Sequence, residues 1–128
     1  MSLRFIVAIG SVFILDQATK HIAQFFLPVT LNRGVSFGVL EGSYLSYVLL
    51  FGFLLFLFLT KHWRERSSFV YGLFVGAVIS NLWDRFLYGG VRDFLPIPFT
   101  GIKNNLADWV IFLTLIWFAI QSKKPSVR

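Results

Sequence analysis

Residues 44–60 read YLSYVLLFGFLLFLFLT, a run that contains no charged side chain. It also has no polar stripe at helical spacing, so every face of a helix built from it tolerates lipid or apolar neighbours. About 20 apolar residues cross the hydrocarbon core of a bilayer, and this run comes close to that length. The stretch therefore predicts a membrane helix whose phenylalanines serve packing and lipid contact.

Three further apolar stretches, approximately residues 4–26, 69–89 and 105–121, surround it in the sequence. The whole chain has 128 residues, of which 56% are hydrophobic and 14% charged, too few charges to cover a soluble globule of this size. Four crossings would use about 80 residues and leave short loops. We therefore predict an all-α integral membrane protein with four transmembrane helices, organised as a single domain over residues 1–128.

The first apolar stretch has the basic start and apolar centre of a secretory signal. However, Asp16 and Gln17 stand where a small-residue cleavage motif would be needed, and apolar residues resume after them. We expect a retained helix.

The segments between the helices have a different composition. Residues 28–43 are rich in glycine and alternate in polarity, which favours a short strand-and-turn element at the outer membrane surface. Residues 89–104 contain Pro96, Pro98 and Gly101, which exclude a continuous helix. Within the third apolar stretch, Gly72, Gly76 and Ser80 recur at four-residue spacing and predict the seam where another helix packs closely.

The charges divide unevenly if the chain crosses the membrane four times. One side then holds seven basic residues and one acidic residue: Arg4, Lys61, Arg64, Arg66, Lys123, Lys124 and Arg128, with Glu65. The other side holds five of each: Lys20, Arg33, Arg85, Arg92 and Lys103, with Asp16, Glu41, Asp84, Asp93 and Asp108. The positive-inside rule makes the termini cytoplasmic and puts every aspartate on the outer side. The whole net charge of +6 therefore lies on the cytoplasmic side, where it reflects membrane topology. We expect no nucleic-acid-binding surface.

Four aspartates at one face of so apolar a chain need an explanation, because buried charges are costly in a membrane. In the simplest explanation each is only an ion-pair partner: Asp16 with Lys20, Asp84 with Arg85, and Asp93 with Arg92. Three asparagines belong to the same outer side, and their presence favours a functional site instead: Asn32, Asn81 and Asn105.

Other catalytic chemistries fit the composition less well. The absence of cysteine excludes thiol nucleophiles, and no motif suggests a metal or cofactor. A serine triad could use only His21 on this side, and a Ser36–Lys20 pair lacks distinctive spacing. Two aspartates that share one proton remain: the ionised one activates water and the neutral one polarises the scissile amide. Asp108, at a helix N-terminus capped by Asn105, favours ionisation, so we predict that Asp93 carries the proton.

Four motifs occur in one order: DQATK at 16–20, NRGVSFG at 32–38, SNLWDR followed by VRDF, and NNLAD at 104–108. Together they resemble the lipoprotein signal peptidase (signal peptidase II) family over nearly the whole chain. The resemblance implies a bacterial inner-membrane aspartic endopeptidase that cleaves lipid-modified prolipoproteins just before the lipidated cysteine, without metal or cofactor. It also implies inhibition by globomycin-like antibiotics, contact with membrane lipids and a monomeric enzyme.

Residue by residue, the resemblance makes Asp93 and Asp108 the catalytic dyad. It assigns eight residues to site support or substrate contact: Asp16, Lys20, Asn32, Gly34, Asn81, Asp84, Arg85 and Asn105. Ser80 and Asn104 depart from the glycine and phenylalanine usual in the family, and the loops are short. Two other functions remain open on the residues alone, a small proton or ion transporter and an inactive structural paralogue.

Overall fold

A computed structural model describes residues 2–34 and 44–122 of the chain. Its elements, in chain order, are α1 Leu3–Phe26, β1 Thr30–Asn32, α2 Leu45–Leu59, α3 Trp63–Arg66, α4 Ser68–Tyr88, β2 Val91–Asp93, β3 Leu95–Pro96, β4 Lys103–Asn104 and α5 Leu106–Ser122. The four long helices begin and end within one residue of the four predicted apolar stretches. The short helix α3 was not predicted.

The long helices differ in whether they are long and apolar enough to cross a membrane. Among the described helices, α1 alone, with 24 residues, is both long enough and apolar enough to span one by length and composition. Helices α2 and α5 are apolar but shorter. The mostly helical fold is therefore established, whereas four crossings remain a prediction.

Helices α1 and α4 pack closely along the small residues of α4. A Cβ atom on Gly72 would lie 2.7 Å from the Phe5 carbonyl oxygen, and one on Gly76 would lie 2.6 Å from the Ile9 carbonyl oxygen. Both distances are far inside van der Waals contact, so this approach requires glycine. The predicted packing seam is confirmed.

Aromatic packing holds the helices together at the end of the molecule where α3 lies. Phe118 of α5 is buried, stacks on Trp63 with ring centroids 4.4 Å apart, and meets Tyr71 edge to face. At the same end, the Ser2 hydroxyl donates a hydrogen bond to the Ser68 hydroxyl at 3.1 Å. The start of α1, the start of α4 and the end of α5 therefore share one end of the molecule.

The strands lie at the opposite end. Strand β1 pairs antiparallel with β2, with Thr30 opposite Asp93 and Asn32 opposite Val91. Strands β3 and β4 form a hairpin whose tip includes Phe99, a fully exposed residue. The predicted strand-and-turn element is confirmed for β1, whereas residues 35–43 lie outside the described part of the chain. This strand pairing carries Asp93 over the end of the bundle.

Candidate active site

Asp93 is the last residue of β2, and its side chain is buried with 3% of its surface exposed. Asn105 Nδ2 donates to its Oδ1 at 2.8 Å, and Asn32 Nδ2 donates to its Oδ2 at 3.2 Å. The two amides bind different oxygens of the carboxyl group, one from β1 and one from the residue that precedes α5. They hold the carboxyl group in a fixed orientation.

Asp108 lies in the first turn of α5, where it forms a capping box with Asn105. The Asp108 backbone N–H donates to Asn105 Oδ1 at 2.9 Å, and the Asn105 backbone N–H donates to Asp108 Oδ2 at 3.3 Å. Asn81 Nδ2 of α4 donates to Asp108 Oδ1 at 2.9 Å. Asn105 therefore contacts both aspartates, and its predicted role as helix cap is confirmed.

The surroundings of Asp93 change its acidity. Burial, the largest effect, raises its pKa from the ordinary range of an aspartate to about 6, against the opposing hydrogen bond from Asn105. The negative charge of Asp108 raises the pKa further, and the weaker hydrogen bond from Asn32 lowers it. Asp93 therefore holds a proton under mildly acidic conditions, where an ordinary aspartate is already ionised.

The two aspartates open on the same cavity, which has a volume of about 470 Å³. Its lining residues are Asn32, Leu49, Val78, Asn81, Leu82, Arg85, Val91, Asp93, Ile97, Ile102, Lys103, Asn104, Asp108, Ile111, Phe112 and Leu115. Helices α2, α4 and α5 supply apolar walls, while the polar groups belong to the end that carries the strands. An extended, partly apolar chain fits such a cleft better than a small polar solute does.

A fully buried lysine lies behind Asp108. Lys20 Nζ is 2.6 Å from Asp16 Oδ2, 3.3 Å from Asp84 Oδ2 and donates to Asn81 Oδ1 at 2.9 Å. Because the amide group of Asn81 also donates to Asp108, a continuous chain of hydrogen bonds connects Lys20 to Asp108. Asp16 Oδ1 also accepts from the Ala107 backbone N–H at 2.8 Å, which fixes the start of α5.

Asp84 is paired by Arg92, not by its neighbour Arg85. Arg92 Nη2 lies 2.8 Å from Asp84 Oδ1, while its Nε and backbone N–H donate to Oδ2. Two of the simple ion pairs considered from sequence, Asp84 with Arg85 and Asp93 with Arg92, are therefore wrong. Successive side chains of a strand point to opposite faces, so Arg92 cannot face the same way as Asp93. The third pair, Asp16 with Lys20, is confirmed.

Arg85 and Gly34 meet at the mouth of the cavity. Arg85 Nη2 donates to the Gly34 carbonyl oxygen at 2.8 Å, and the Gly34 N–H donates to Asn32 Oδ1 at 3.1 Å. Arg85 is also close enough to interact electrostatically with both Asp93 and Asp108. It places a positive charge beside the two carboxyl groups.

The structure thus brings all ten residues singled out from sequence into one connected region. Five of them line the cavity: Asn32, Asn81, Arg85, Asp93 and Asp108. The other five support these from behind or from the side: Asp16, Lys20, Gly34, Asp84 and Asn105.

Sequence reasoning missed three members of the buried network, Gln17, Ser80 and Arg92. The Ser80 hydroxyl donates to Asp16 Oδ2 at 2.6 Å, and Gln17 Nε2 donates to Ser80 Oγ and Asp84 Oδ1. Gln17 Oε1 in turn accepts from Arg92 at 2.7 Å. These polar residues lie within or beside apolar helices, and that feature of the sequence could have indicated that they belong to a buried polar network.

Alternative chemistries can be compared with the same geometry. Among residues 2–34 and 44–122, no three His, Cys, Asp or Glu side chains are placed to hold a metal ion. His21 is exposed on α1 and packs its ring against Phe25. Ser36, the other half of the Ser-Lys alternative, lies outside the described residues, and Lys20 already has two carboxylate partners.

Comparison with known proteins gives concordant results. The profile of a family described as Signal peptidase (SPase) II matches residues 8–124. Lipoprotein signal peptidase of Sulfurovum sp. (strain NBC37-1) is 35% identical, with 91% of this chain and 89% of that protein covered. Lipoprotein signal peptidase of Helicobacter pylori (strain Shi470) is also 35% identical, with 97% and 92% covered. A bacterial membrane enzyme solved by the in meso method at 2.3 Å resolution is similar in fold, with a TM-score of 0.73 at 21% identity over 97% of this chain and 93% of its own.

Proposed function

The chain belongs to the signal peptidase II family, and from that premise we propose that it is an aspartic endopeptidase with Asp93 and Asp108 as its catalytic dyad. Its substrates are lipid-modified prolipoproteins, cleaved just before the lipidated cysteine. The observation that carries the assignment is that both carboxyl groups open on one cavity while Asn105 contacts each of them. Two like-charged groups on one cavity repel each other unless they share a proton, so simple ion pairing does not account for the arrangement.

The charge balance of the site supports a shared proton. Four aspartates of the described network, Asp16, Asp84, Asp93 and Asp108, face three cations: Lys20, Arg85 and Arg92. A fourth cation that lines the cavity, Lys103, donates instead to the Pro28 carbonyl oxygen and pairs with none of these aspartates. Within the network itself one unit of negative charge is left over, and buried uncompensated charge is unfavourable. A single proton on the dyad makes the cluster neutral. The raised pKa of Asp93 favours that residue as the carrier.

The geometry supports the following reaction. Asp108 takes a proton from a water molecule while the water oxygen bonds to the scissile carbonyl carbon, and Asp93 gives its proton to the carbonyl oxygen. A neutral gem-diol results. Asp93 then takes a proton from the diol as the carbonyl re-forms, the C–N bond breaks, and Asp108 protonates the leaving amine. One proton remains on the dyad at the end, as at the start.

The remaining groups position the dyad and the substrate. Asn81 and Asn105 orient the carboxyl groups, while Arg85 and Asn32 lie at the polar end of the cavity, where they can contact peptide carbonyls. The apolar walls suit the hydrophobic part of a signal peptide and the acyl chains of the modified cysteine. We further propose four crossings with cytoplasmic termini, a site at the outer face, a monomeric enzyme in contact with lipids, and inhibition by globomycin-like compounds.

The decisive experiment is cleavage of a lipid-modified prolipoprotein by the purified full-length protein. Asp93→Asn and Asp108→Asn should each lower kcat by at least about a hundredfold, because each removes a group that transfers a proton. Glu65→Gln, an exposed carboxylate on α3, is the matched control and should retain wild-type turnover. Thermal unfolding of each variant shows whether the fold is intact.

The outcomes separate the alternatives. Cleavage retained in either dyad variant would remove that residue from the catalytic role. If Asp84→Asn were inactive with its fold intact while Asp93→Asn still cleaved, Asp84 would be the partner of Asp108. No cleavage by the wild-type protein would favour an inactive paralogue.

A further inference from the structure

Arg92 is a buried arginine that precedes Asp93 in β2, and only 6% of its surface is exposed. Its Nη2 lies 2.8 Å from Asp84 Oδ1, its Nε donates to Asp84 Oδ2 at 3.2 Å, and its backbone N–H donates to the same oxygen at 3.0 Å. Nη2 also donates to Gln17 Oε1 at 2.7 Å, and the guanidinium carbon lies 4.4 Å from the centroid of the Tyr88 ring. Both the side chain and the backbone of Arg92 are therefore held at the end of α4.

From Gln17 the hydrogen bonds continue to the start of α5. Gln17 Nε2 donates to Ser80 Oγ at 2.8 Å, and the Ser80 hydroxyl donates to Asp16 Oδ2 at 2.6 Å. The other oxygen of Asp16, Oδ1, accepts from the Ala107 backbone N–H at 2.8 Å. Three buried or half-buried side chains thus connect the guanidinium of Arg92 to the first turn of α5.

The two ends of this connection occupy equivalent positions in the sequence. Arg92 is the residue before Asp93, and Ala107 is the residue before Asp108. The backbone beside each aspartate of the proposed dyad is therefore attached to the same buried network. The spacing of the two carboxyl groups depends on that network as well as on the strand pairing.

The ion pair of Arg92 with Asp84 fixes position more than it adds stability. Desolvation offsets much of the attraction between two buried ions, so the net stabilisation from such a pair is small. The planar guanidinium, however, binds both oxygens of a carboxylate in one defined geometry. An apolar side chain in its place would pack the strand without fixing where β2 lies against α4.

We propose that Arg92 is a positioning residue, which holds β2 against α4 so that Asp93 lies where it can share one proton with Asp108. Arg92 does not line the cavity, so it acts through the backbone of β2 and not on the substrate. This inference rests on the proposed peptidase function. It adds a residue that determines how the two aspartates are aligned.

Steady-state cleavage of a lipid-modified prolipoprotein by purified full-length Arg92→Lys tests the proposal. Lysine keeps the positive charge, but its single ammonium group cannot bind both oxygens of Asp84 and the Gln17 oxygen as the arginine fork does. We expect kcat to fall about tenfold, because small displacements of a reacting group cost large factors in rate. KM should change by less than about twofold, since no substrate contact is removed.

A residue with only a structural role gives a different result. Arg92→Lys would then have a lower thermal midpoint, but well below that midpoint the folded variant would cleave with wild-type kcat, and this outcome would overturn the proposal. Arg33→Lys is the matched control, because it makes the same change at an exposed arginine directly after β1. It should retain wild-type kcat and KM. An equal loss of kcat in Arg33→Lys would also overturn the proposal, because the loss would not depend on the buried fork.

A double-mutant cycle with Gln17→Leu tests the connection to α5. Gln17→Leu removes the acceptor of Arg92 and the donor to Ser80, so it should also lower kcat about tenfold. The double variant should stay within about twofold of the slower single variant, whereas independent effects would multiply to about a hundredfold and overturn the proposal. If Arg92→Lys does not fold, Gln17→Leu alone decides, and a wild-type kcat in that variant would overturn the proposal.

Failure of this inference is distinguishable from failure of the proposed function. If wild type cleaves, Asp93→Asn does not, and Arg92→Lys has a wild-type kcat, the peptidase stands and the positioning role falls. If wild type does not cleave at all, the proposed function itself falls.

Discussion

At the scale of single residues, the two aspartates of the proposed dyad, Asp93 and Asp108, depend on side chains that do not line the cavity. Lys20 is completely buried in ion pairs, an arrangement that is tolerated only when the charge is compensated and hydrogen-bonded. Its third partner, Asn81, also donates a hydrogen bond to Asp108, so the position of Lys20 influences the orientation of that aspartate. Because the amide oxygen accepts from Lys20, the amide nitrogen must face Asp108, and the orientation of the asparagine is fixed. The buried charges thus have a positioning role beyond mutual neutralisation.

Asn32 provides a test of the protonation scheme. Its hydrogen bond to Asp93 favours the ionised carboxylate, so Asn32→Ala should raise the pKa of Asp93 above its value of about 6. In the proposed mechanism Asp93 must be protonated to act, so activity should be lost as pH rises through that pKa. We expect the alkaline limb of the kcat/KM profile to move to higher pH in the variant.

Arg33→Gln is the control for that profile, because Arg33 is the exposed neighbour of Asn32. The alkaline limb of the kcat/KM profile of Arg33→Gln should coincide with that of wild type at moderate ionic strength, where exposed charges are screened. An alkaline limb that stayed fixed in Asn32→Ala, or moved to lower pH, would contradict the assignment of the proton to Asp93.

The family resemblance, carried by the motifs and their order, grouped ten residues that the structure brings into one connected region, but it did not give their hydrogen-bond and ion-pair partners. Asp84 and Arg85 are adjacent in α4, where consecutive side chains point about 100° apart, so adjacency was a poor guide to pairing. The true partner, Arg92, reaches Asp84 only because β2 folds back over the end of α4. That reversal follows from strand pairing with β1, which the sequence did not specify.

At the scale of elements, the seam between α1 and α4 positions the network. Asp16 and Lys20 belong to α1, whereas Asp84 and Asn81 belong to α4, and their contacts require the two backbones to be close. Gly72 and Gly76 permit that approach further along the same seam. Small residues play this part in membrane proteins because burial of apolar surface does not drive helices together in lipid.

Substitution at the seam should therefore weaken both fold and site. In Gly76→Ala the new Cβ would lie 2.6 Å from the Ile9 carbonyl oxygen and 2.9 Å from its Cα, so the helices must separate. We expect a loss of about 1–3 kcal/mol in the free energy of unfolding, typical of overpacked positions, and reduced turnover. Thermal or denaturant unfolding in detergent and the cleavage assay measure these effects.

Gly10→Ala is the matched control, because a Cβ at Gly10 of α1 meets no atom within 4 Å. It should leave stability and turnover unchanged or slightly improved, as alanine is the better helix former. Equal destabilisation in the two variants would mean that the close approach at Gly76 is not what holds α1 against α4.

The helices were predictable to within one residue, whereas the strands were only located approximately. Long apolar runs that end near charged residues, prolines or glycines leave few alternatives for a helix boundary. Strands of two or three residues, such as β2 and β4, show too little alternation to reveal register or partner. The prolines around β3 correctly excluded a helix, but could not indicate that β2 would carry Asp93 to Asn105.

At the scale of the whole molecule, the two ends have different chemistry. The end with the start of α1 and with α3 carries Arg4, Lys61, Arg64 and Arg66. The other end carries the strands, the cavity and the dyad. Between them, many large apolar side chains of α2 are exposed, Phe51 and Phe58 among them, as lipid contact requires. The uneven charge therefore matches a physical separation along the molecule.

That separation predicts which end faces the cytoplasm. The chain contains no cysteine, so single cysteines can be introduced without a prior background substitution. Phe99→Cys places a thiol on the exposed tip of the β3–β4 hairpin, and Arg64→Cys places one on the exposed surface of α3. By the positive-inside rule, a membrane-impermeant maleimide should label the first in spheroplasts, and the second only after the membrane is broken.

Labelling of Arg64→Cys in sealed spheroplasts, with Phe99→Cys protected, would reverse the orientation. It would put the dyad on the cytoplasmic side, away from prolipoproteins emerging at the outer face. Equal labelling of both thiols in sealed spheroplasts would mean that these two ends do not lie on opposite sides of one bilayer, and the four-crossing arrangement would fall with it.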